Sequence, residues 1–265
     1  MYDCWGREIN YLRVSVTDRC NLRCRYCMPE EGIPLLSHAD ILSFEEIGQV
    51  VHTAVGMGIS KVRLTGGEPL VRRGIVALVE MIAGIDGIQD FAMSTNGTLL
   101  APMAAELKRA GLGRLNISLD AIDPDAYREV TRGGNVADVF AGIAAAQAAG
   151  FENTKLNCVV EESAGEQNAR DVAAFAGEHG LELRYIRRMD LEEGRFWKVE
   201  GGDGGNCGSC NRLRMTSDGR IIPCLFSRLA YSIRELGVEH ALRQAVAHKP
   251  EKGATARNWM RRVGG

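Results

Sequence analysis

No run of eighteen or more apolar residues interrupts this 265-residue chain, so no membrane-spanning helix is expected. Residues 1–8 lack the apolar core of a secretory leader. There is no long low-complexity tract and no convincing internal repeat. Basic residues are not interleaved with aromatics in any patch, which makes nucleic acid an unexpected partner. None of the five histidines stands in a motif. Cysteine is the exception among these absences: eight are present, clustered rather than dispersed. Clustered thiols argue for bound metal in a reducing, cytoplasmic compartment and against a disulfide framework.

The formal net charge is only −2, and that small value hides an asymmetry. From Cys207 onward 11 Lys and Arg stand against 4 Asp and Glu, whereas the preceding residues carry 21 against 30. A basic C-terminal fifth beside an acidic body suits an anionic ligand at that end. It suits a solvated basic surface equally well. The length and a hydrophobic content of 45% fit one large domain, or one domain with a small appendage.

β-rich runs at 11–17, 61–65, 89–93, 114–119, 155–160 and 182–186 alternate with helical patterns at 44–57, 74–83, 102–110, 124–130, 136–149 and 167–179. Six strands with helices between them imply an α/β fold of parallel strands joined by right-handed crossovers. The pattern does not choose between an open sheet and a partial barrel. In either, ligands collect beyond the C-terminal ends of the strands. The chemistry-bearing residues follow the strands in that way: the Cys20 loop, Gly66 to Pro69, Ser94 to Gly97, Ser118 with Asp120, and Met189. The Gly-rich stretch 194–205 reads as a linker, dividing the chain into a body (1–193) and a C-terminal unit (194–265).

Cys20, Cys24 and Cys27 place three thiolates within eight residues. They can hold three corners of a 4Fe–4S cluster and leave one iron open. A structural zinc site prefers four closed ligands, commonly as two separated pairs, and fits this spacing poorly. The string from Thr17 to Pro29 resembles the signature of the radical S-adenosylmethionine (SAM) enzymes, in which the open iron chelates the amino and carboxylate groups of SAM. Gly66-Gly67-Glu68-Pro69 is by itself a turn whose glycines let the backbone approach a ligand. Beside the cysteine motif it resembles the element that binds the SAM amino group in those enzymes.

Cys207, Cys210 and Cys224 are again three thiolates with no obvious fourth ligand. A second open cluster fits them better than a zinc ribbon does. Between them, Arg212 and Arg214 point the same way if the segment is a strand. Two guanidiniums on one face suit phosphate; an exposed edge strand is the plain alternative.

Taken together, the chain resembles the MoaA family, the GTP 3′,8-cyclases of molybdenum-cofactor biosynthesis. The resemblance runs from Tyr2 to Arg7, through Asn10 to Ile33, Thr65 to Leu70, Asn116 to Asp120 and Cys210 to Arg214, and ends at Gly264 and Gly265. It implies a partial (β/α)6 barrel with a small C-terminal cluster domain. It implies two 4Fe–4S clusters and SAM as cofactors, an external electron donor, and conversion of GTP to 3′,8-cyclo-7,8-dihydro-GTP through a 5′-deoxyadenosyl radical. Cys20, Cys24 and Cys27 would hold the SAM cluster, and Tyr26, Gly67, Asn96, Ser118 and Met189 would line SAM. Cys207, Cys210 and Cys224 would hold the second cluster, whose open iron receives the guanine. Arg13, Arg63, Lys155, Arg212 and Arg214 would grip GTP, with Ser94 standing where the family usually has a Thr. The Gly264-Gly265 tail would reach into the site. Five cations from different strands of one cavity can fix a triphosphate. Cys158, on a strand, reads as a core thiol, and Cys4 is unassigned.

Two features depart from that family. Only 18 positions separate Met189 from Cys207, where the family has several tens more, so one side of the cavity is expected to open. A partner subunit or second copy could cover it, a larger substrate such as a peptide could use it, or the cavity could be smaller. Arg187 and Arg188 replace an acidic–apolar pair, either to anchor an anion or to bridge to Glu192 or Glu193. Two rival functions follow: a radical SAM maturase acting on a peptide or other anionic substrate, and a metal-binding protein without activity.

Overall fold

A computed structural model describes residues 1–255; the expected role of Gly264 and Gly265 lies outside the described residues. Strands β1 (Tyr11–Ser15), β2 (Lys61–Thr65), β3 (Asp90–Thr95), β4 (Arg114–Ser118), β5 (Lys155–Val160) and β6 (Glu182–Arg187) lie parallel in chain order. Helices α1 (Phe44–Gly56), α2 (Ile75–Ala83), α3 (Ala104–Arg109), α4 (Pro124–Thr131), α5 (Val136–Ala148) and α6 (Gln167–Glu178) connect them. Every element expected from the periodicity is present, to within two residues at each end. Local chemistry fixes several starts: Ser43 and Glu46 form a capping box on α1, and Asp123 caps α4 while Pro124 opens it.

The remaining strands do not follow β6 in the sheet. β7 (Arg212–Met215) pairs parallel with β1, on the side away from β2. β8 (Arg220–Ile222) and β9 (Tyr231–Ser232) continue antiparallel, followed by α7 (Ile233–Leu236) and α8 (Val238–Ala247). The sheet order is therefore β6-β5-β4-β3-β2-β1-β7-β8-β9. The expected boundary at 193/194 falls in a loop, and the sheet runs across both units.

Alternation along the strands separates two faces. Leu12, Val14, Val62, Leu64, Met93, Leu115, Ile117, Leu156 and Cys158 are buried in one core with the helices, which makes Cys158 a core thiol as expected. The opposite face carries Tyr11, Arg13, Arg63, Asn157 and Val159 to a cavity. Among the described residues no helix is long and apolar enough to cross a membrane.

Residues 194–205 are more than a linker. Tyr185 on β6 and Glu200 exchange two backbone hydrogen bonds of 3.1 Å, so this strap covers part of the free edge of β6. The Phe196 ring lies 4.6 Å from that of Phe226 and ties the strap to the C-terminal unit. Gly201 and Gly205 have φ of +77° and +74°, and a Cβ on Gly205 would stand 1.9 Å from the Trp197 carbonyl oxygen. The side expected to open is thus covered in part by the short segment itself.

Candidate active site

A cavity of about 440 Å³ is bounded by all six cysteines of the two triads. None of them is in a disulfide. The elements that aim the first triad are tied to one another by their backbones. Gly67 N–H donates to Thr17 O and Glu68 N–H to Arg19 O, both at 2.8 Å. A Cβ on Gly66 would stand 2.8 Å from Thr17 O, and one on Gly67 2.3 Å from Arg19 O. The two glycines therefore serve first to dock the loop after β2 against the chain that leads into Cys20. Within the cysteine loop, the Cys24 carbonyl accepts from Cys27 and Met28 N–H at 3.0 and 2.9 Å. Arg132 Nη1 donates to the Arg23 and Met28 carbonyls and pins the loop from outside.

Glu68 and Asp120 carry this framework further. Glu68 is buried and accepts from Leu70 N–H, Thr95 Oγ1 and Asn96 N–H, linking the loops after β2 and β3. Burial pushes its carboxyl up to about 7 against the lowering effect of those donors. Tyr26 Oη donates to Asp120 Oδ2 at 2.7 Å, and Asp120 Oδ1 accepts from Val159 N–H at 2.8 Å. Burial likewise raises Asp120 to about 6. Asn96 Nδ2 bonds Asn21 Oδ1 at 2.9 Å and lies 3.9 Å from Cys20 Sγ.

The floor of the cavity is cationic. Arg63, Arg13 and Arg214 are register partners across β2, β1 and β7, with Lys61, Tyr11 and Arg212 in the parallel row two residues earlier. Arg63 and Arg212 lie over the Tyr11 ring at 5.4 and 5.7 Å from its centroid. Burial first, and then neighbouring guanidiniums, pushes Arg13, Arg63 and Arg214 each down to about 10. Burial alone would raise the Tyr11 phenol, but the fields of Arg63, Arg13, Arg212 and Arg214 together bring it down. A row of buried like charges is costly unless an anion enters it.

All but one of the expected residues line this cavity: Tyr26, Gly67, Asn96, Ser118 and Met189; Arg13, Arg63, Ser94, Arg212 and Arg214; and both cysteine triads. Lys155 is the one not brought in. It shares a strand face with Asn157 and Val159, but its ammonium pairs with Glu182, and it is not part of the lining. Arg188 bridges to Glu161 at 3.1 Å, not to Glu192 or Glu193. Arg187 lies over the Trp197 ring, 4.2 Å from its centroid, and its buried Nε donates to no partner among the described residues.

Sequence reasoning missed Lys61, Arg184, Trp197 and Lys249, all of which line the cavity. The alternation of Lys61 with Arg63 was a usable signal. Lys249 follows α8 outside any motif and offered none.

The donor sets suit clusters better than single ions. Each set is three thiols on the wall of one cavity, one short of the four closed ligands of a structural zinc site. A cube of four irons takes its thiolates at separate corners. Burial pushes the Cys20 thiol up to about 11 and that of Cys24 higher still, so these sulfurs become thiolates on metal rather than alone. At the second triad burial also opposes ionisation of Cys210, but Lys249 and Arg212 outweigh it and bring that thiol down.

Known proteins agree with this geometry. Residues 14–176 match the Radical SAM superfamily. The chain is 39% identical to a GTP 3′,8-cyclase of Alkaliphilus oremlandii over 300 positions, covering 95% of this chain and 94% of that one. It is 40% identical to a GTP 3′,8-cyclase of Geobacter sulfurreducens, covering 95% and 93%. An alignment of 300 positions exceeds the chain's own 265 residues, so the relative carries at least 35 positions with no counterpart here. In fold, SuiB of Streptococcus suis bound to S-adenosylmethionine superposes with a TM-score of 0.65 at 13% identity, over 92% of this chain and 64% of that one. The protein anSMEcpe with bound AdoMet superposes with a TM-score of 0.65 at 15% identity, over 91% of this chain and 78% of that one. With a superfamily match over more than half its length and near-complete coverage of relatives at about 40% identity, this chain belongs to the GTP 3′,8-cyclase (MoaA) family of radical SAM enzymes.

Proposed function

We propose that this chain converts GTP to 3′,8-cyclo-7,8-dihydro-GTP. The carrying observation is the Arg63–Arg13–Arg214 row between two thiol triads. Cys20, Cys24 and Cys27 would hold one 4Fe–4S cluster, and Cys207, Cys210 and Cys224 the other. When bound, the first cluster with SAM and an external one-electron donor supplies a 5′-deoxyadenosyl radical; the second offers an open iron for the guanine.

The residues of the chain bind, orient and exclude water. Arg13, Arg63, Arg212 and Arg214 neutralise the triphosphate, and the anion in turn relieves their mutual repulsion. Tyr26, Gly67, Asn96, Ser118 and Met189 form the SAM side of the cavity, and Ser94 keeps a hydroxyl toward the nucleotide. Tyr26 is held by Asp120, and Glu68 fixes the Asn96 backbone, so both are set before ligand arrives. Lys155 joins the nucleotide-binding set only if GTP draws it from Glu182. A peptide substrate has no comparable match to a buried row of guanidiniums.

The test is anaerobic reconstitution followed by incubation with SAM, dithionite and GTP, scoring 5′-deoxyadenosine and cyclised GTP by mass spectrometry. Both products together support the cyclase reading. Formation of 5′-deoxyadenosine with GTP unchanged would retain the radical chemistry and remove GTP as substrate.

A further inference from the structure

We propose that Lys249 is a positioning residue for the second triad, and that its charge sets how readily a cluster held there accepts an electron. Lys249 is buried, at 2% exposure. Its Nζ donates to Arg212 O at 2.7 Å and Pro223 O at 2.6 Å. Those carbonyls lie two residues after Cys210 and one before Cys224. Lys249 lines the same cavity as Cys210 and Cys224, and its charge favours ionisation of both thiols. No carboxylate pairs with it among the described residues.

The N-terminal loop holds this lysine in place. Trp5 Nε1 donates to Lys249 O at 3.0 Å. Arg7 Nη2 donates to Pro250 O at 2.7 Å, and its Nη1 to both Glu251 O and Cys207 O. Arg7 is itself paired with buried Asp3 at 2.7 Å, so that pair adds little net charge. Lys249 remains as an uncompensated cation at the thiolates.

The electrostatic consequence is direct. One electron entering the cluster makes it one unit more negative, and no proton moves. A fixed cation in a low-dielectric setting stabilises the reduced form more than the oxidised form. The proposal rests on the two-cluster reading of the chain.

The experiment is an anaerobic redox titration with dithionite, followed by EPR, on reconstituted wild type, Lys249→Gln and Lys249→Arg, with iron content determined for each. Lys249→Gln is expected to shift the oxidised-to-reduced ratio of the second cluster about tenfold toward oxidised, or about 59 mV for a one-electron couple. The first cluster is expected not to move, and Lys249→Arg is expected to titrate with wild type. A Gln variant that holds its cluster at the wild-type potential overturns the proposal, as does an Arg variant that shifts as far as Gln. If Gln sheds the cluster, Arg decides: a native potential supports a charge role, and a fallen potential or a lost cluster overturns it. Wild-type iron sufficient for only one cluster would remove the two-cluster reading and this proposal with it, a result distinct from any change of potential.

Discussion

Arg13 on β1 and Arg214 on β7 stand opposite each other in adjacent parallel strands; burial first, then the charge of Arg214 and Arg212 on Arg13 and of Arg212 on Arg214, brings each down to about 10. Two cations in register across a sheet oppose folding. An anion bound against the row would offset that repulsion.

Replacing Arg214 with Met is expected to lower GTP affinity tenfold or more and to remove part of its salt dependence. Equilibrium binding at two salt concentrations checks this. An affinity and salt dependence equal to those of wild type would take Arg214 out of the nucleotide-binding set.

Glu68 gives a pH signature. Its carboxyl is raised to about 7 from an ordinary 4.5, so the folded chain binds the extra proton between those values. The contribution is fully present below pH 4.5 and is lost as pH rises through 7. It amounts to roughly 3 kcal/mol at most. The stability of wild type relative to Glu68→Gln should fall from pH 5 to 7.5 and level off above. A flat difference would mean that the three donors keep the group ionised throughout.

Arg7 predicts a structural loss. Arg7→Ala leaves the Asp3 carboxylate buried without its partner and removes three donors from the carbonyls of Cys207, Pro250 and Glu251. A loss of about 3–5 kcal/mol is expected, read by urea unfolding. Lys in the same place cannot reproduce the guanidinium fork and should restore only part of it.

The strap can be tested at Gly205. Ala there meets a positive φ and the Trp197 carbonyl together, so the turn cannot close as it stands. Limited proteolysis of Gly205→Ala should cut within 190–206 faster than in wild type, with the barrel fragment surviving. Equal cutting rates would show that the turn adapts.

The six parallel strands and their helices were legible because each is long enough to display a period, the partial barrel came only from the family resemblance, and the cysteine spacings announced both triads. Three things were not legible, each for a physical reason. β8 and β9 span three and two residues, too short for alternation to emerge. Lys155 has the right residue type on the right face, but Glu182 on the neighbouring strand takes its charge, and cross-strand pairing is not written in local sequence. Lys249 reaches the second triad only through tertiary packing that brings Trp5 and Arg7 beside it.

β1 sits between β2 and β7, and its pairing on the β7 side joins segments about 200 residues apart, as the Asn10–Asn211 contact at its base marks. During synthesis the first cysteine loop emerges well before β7, and β1 keeps one bare hydrogen-bonding edge until β7, about 200 residues later, has left the ribosome. Such an edge is a template for mispairing. The nascent chain is thus most exposed to aggregation after its barrel sequence is complete and before β7 arrives.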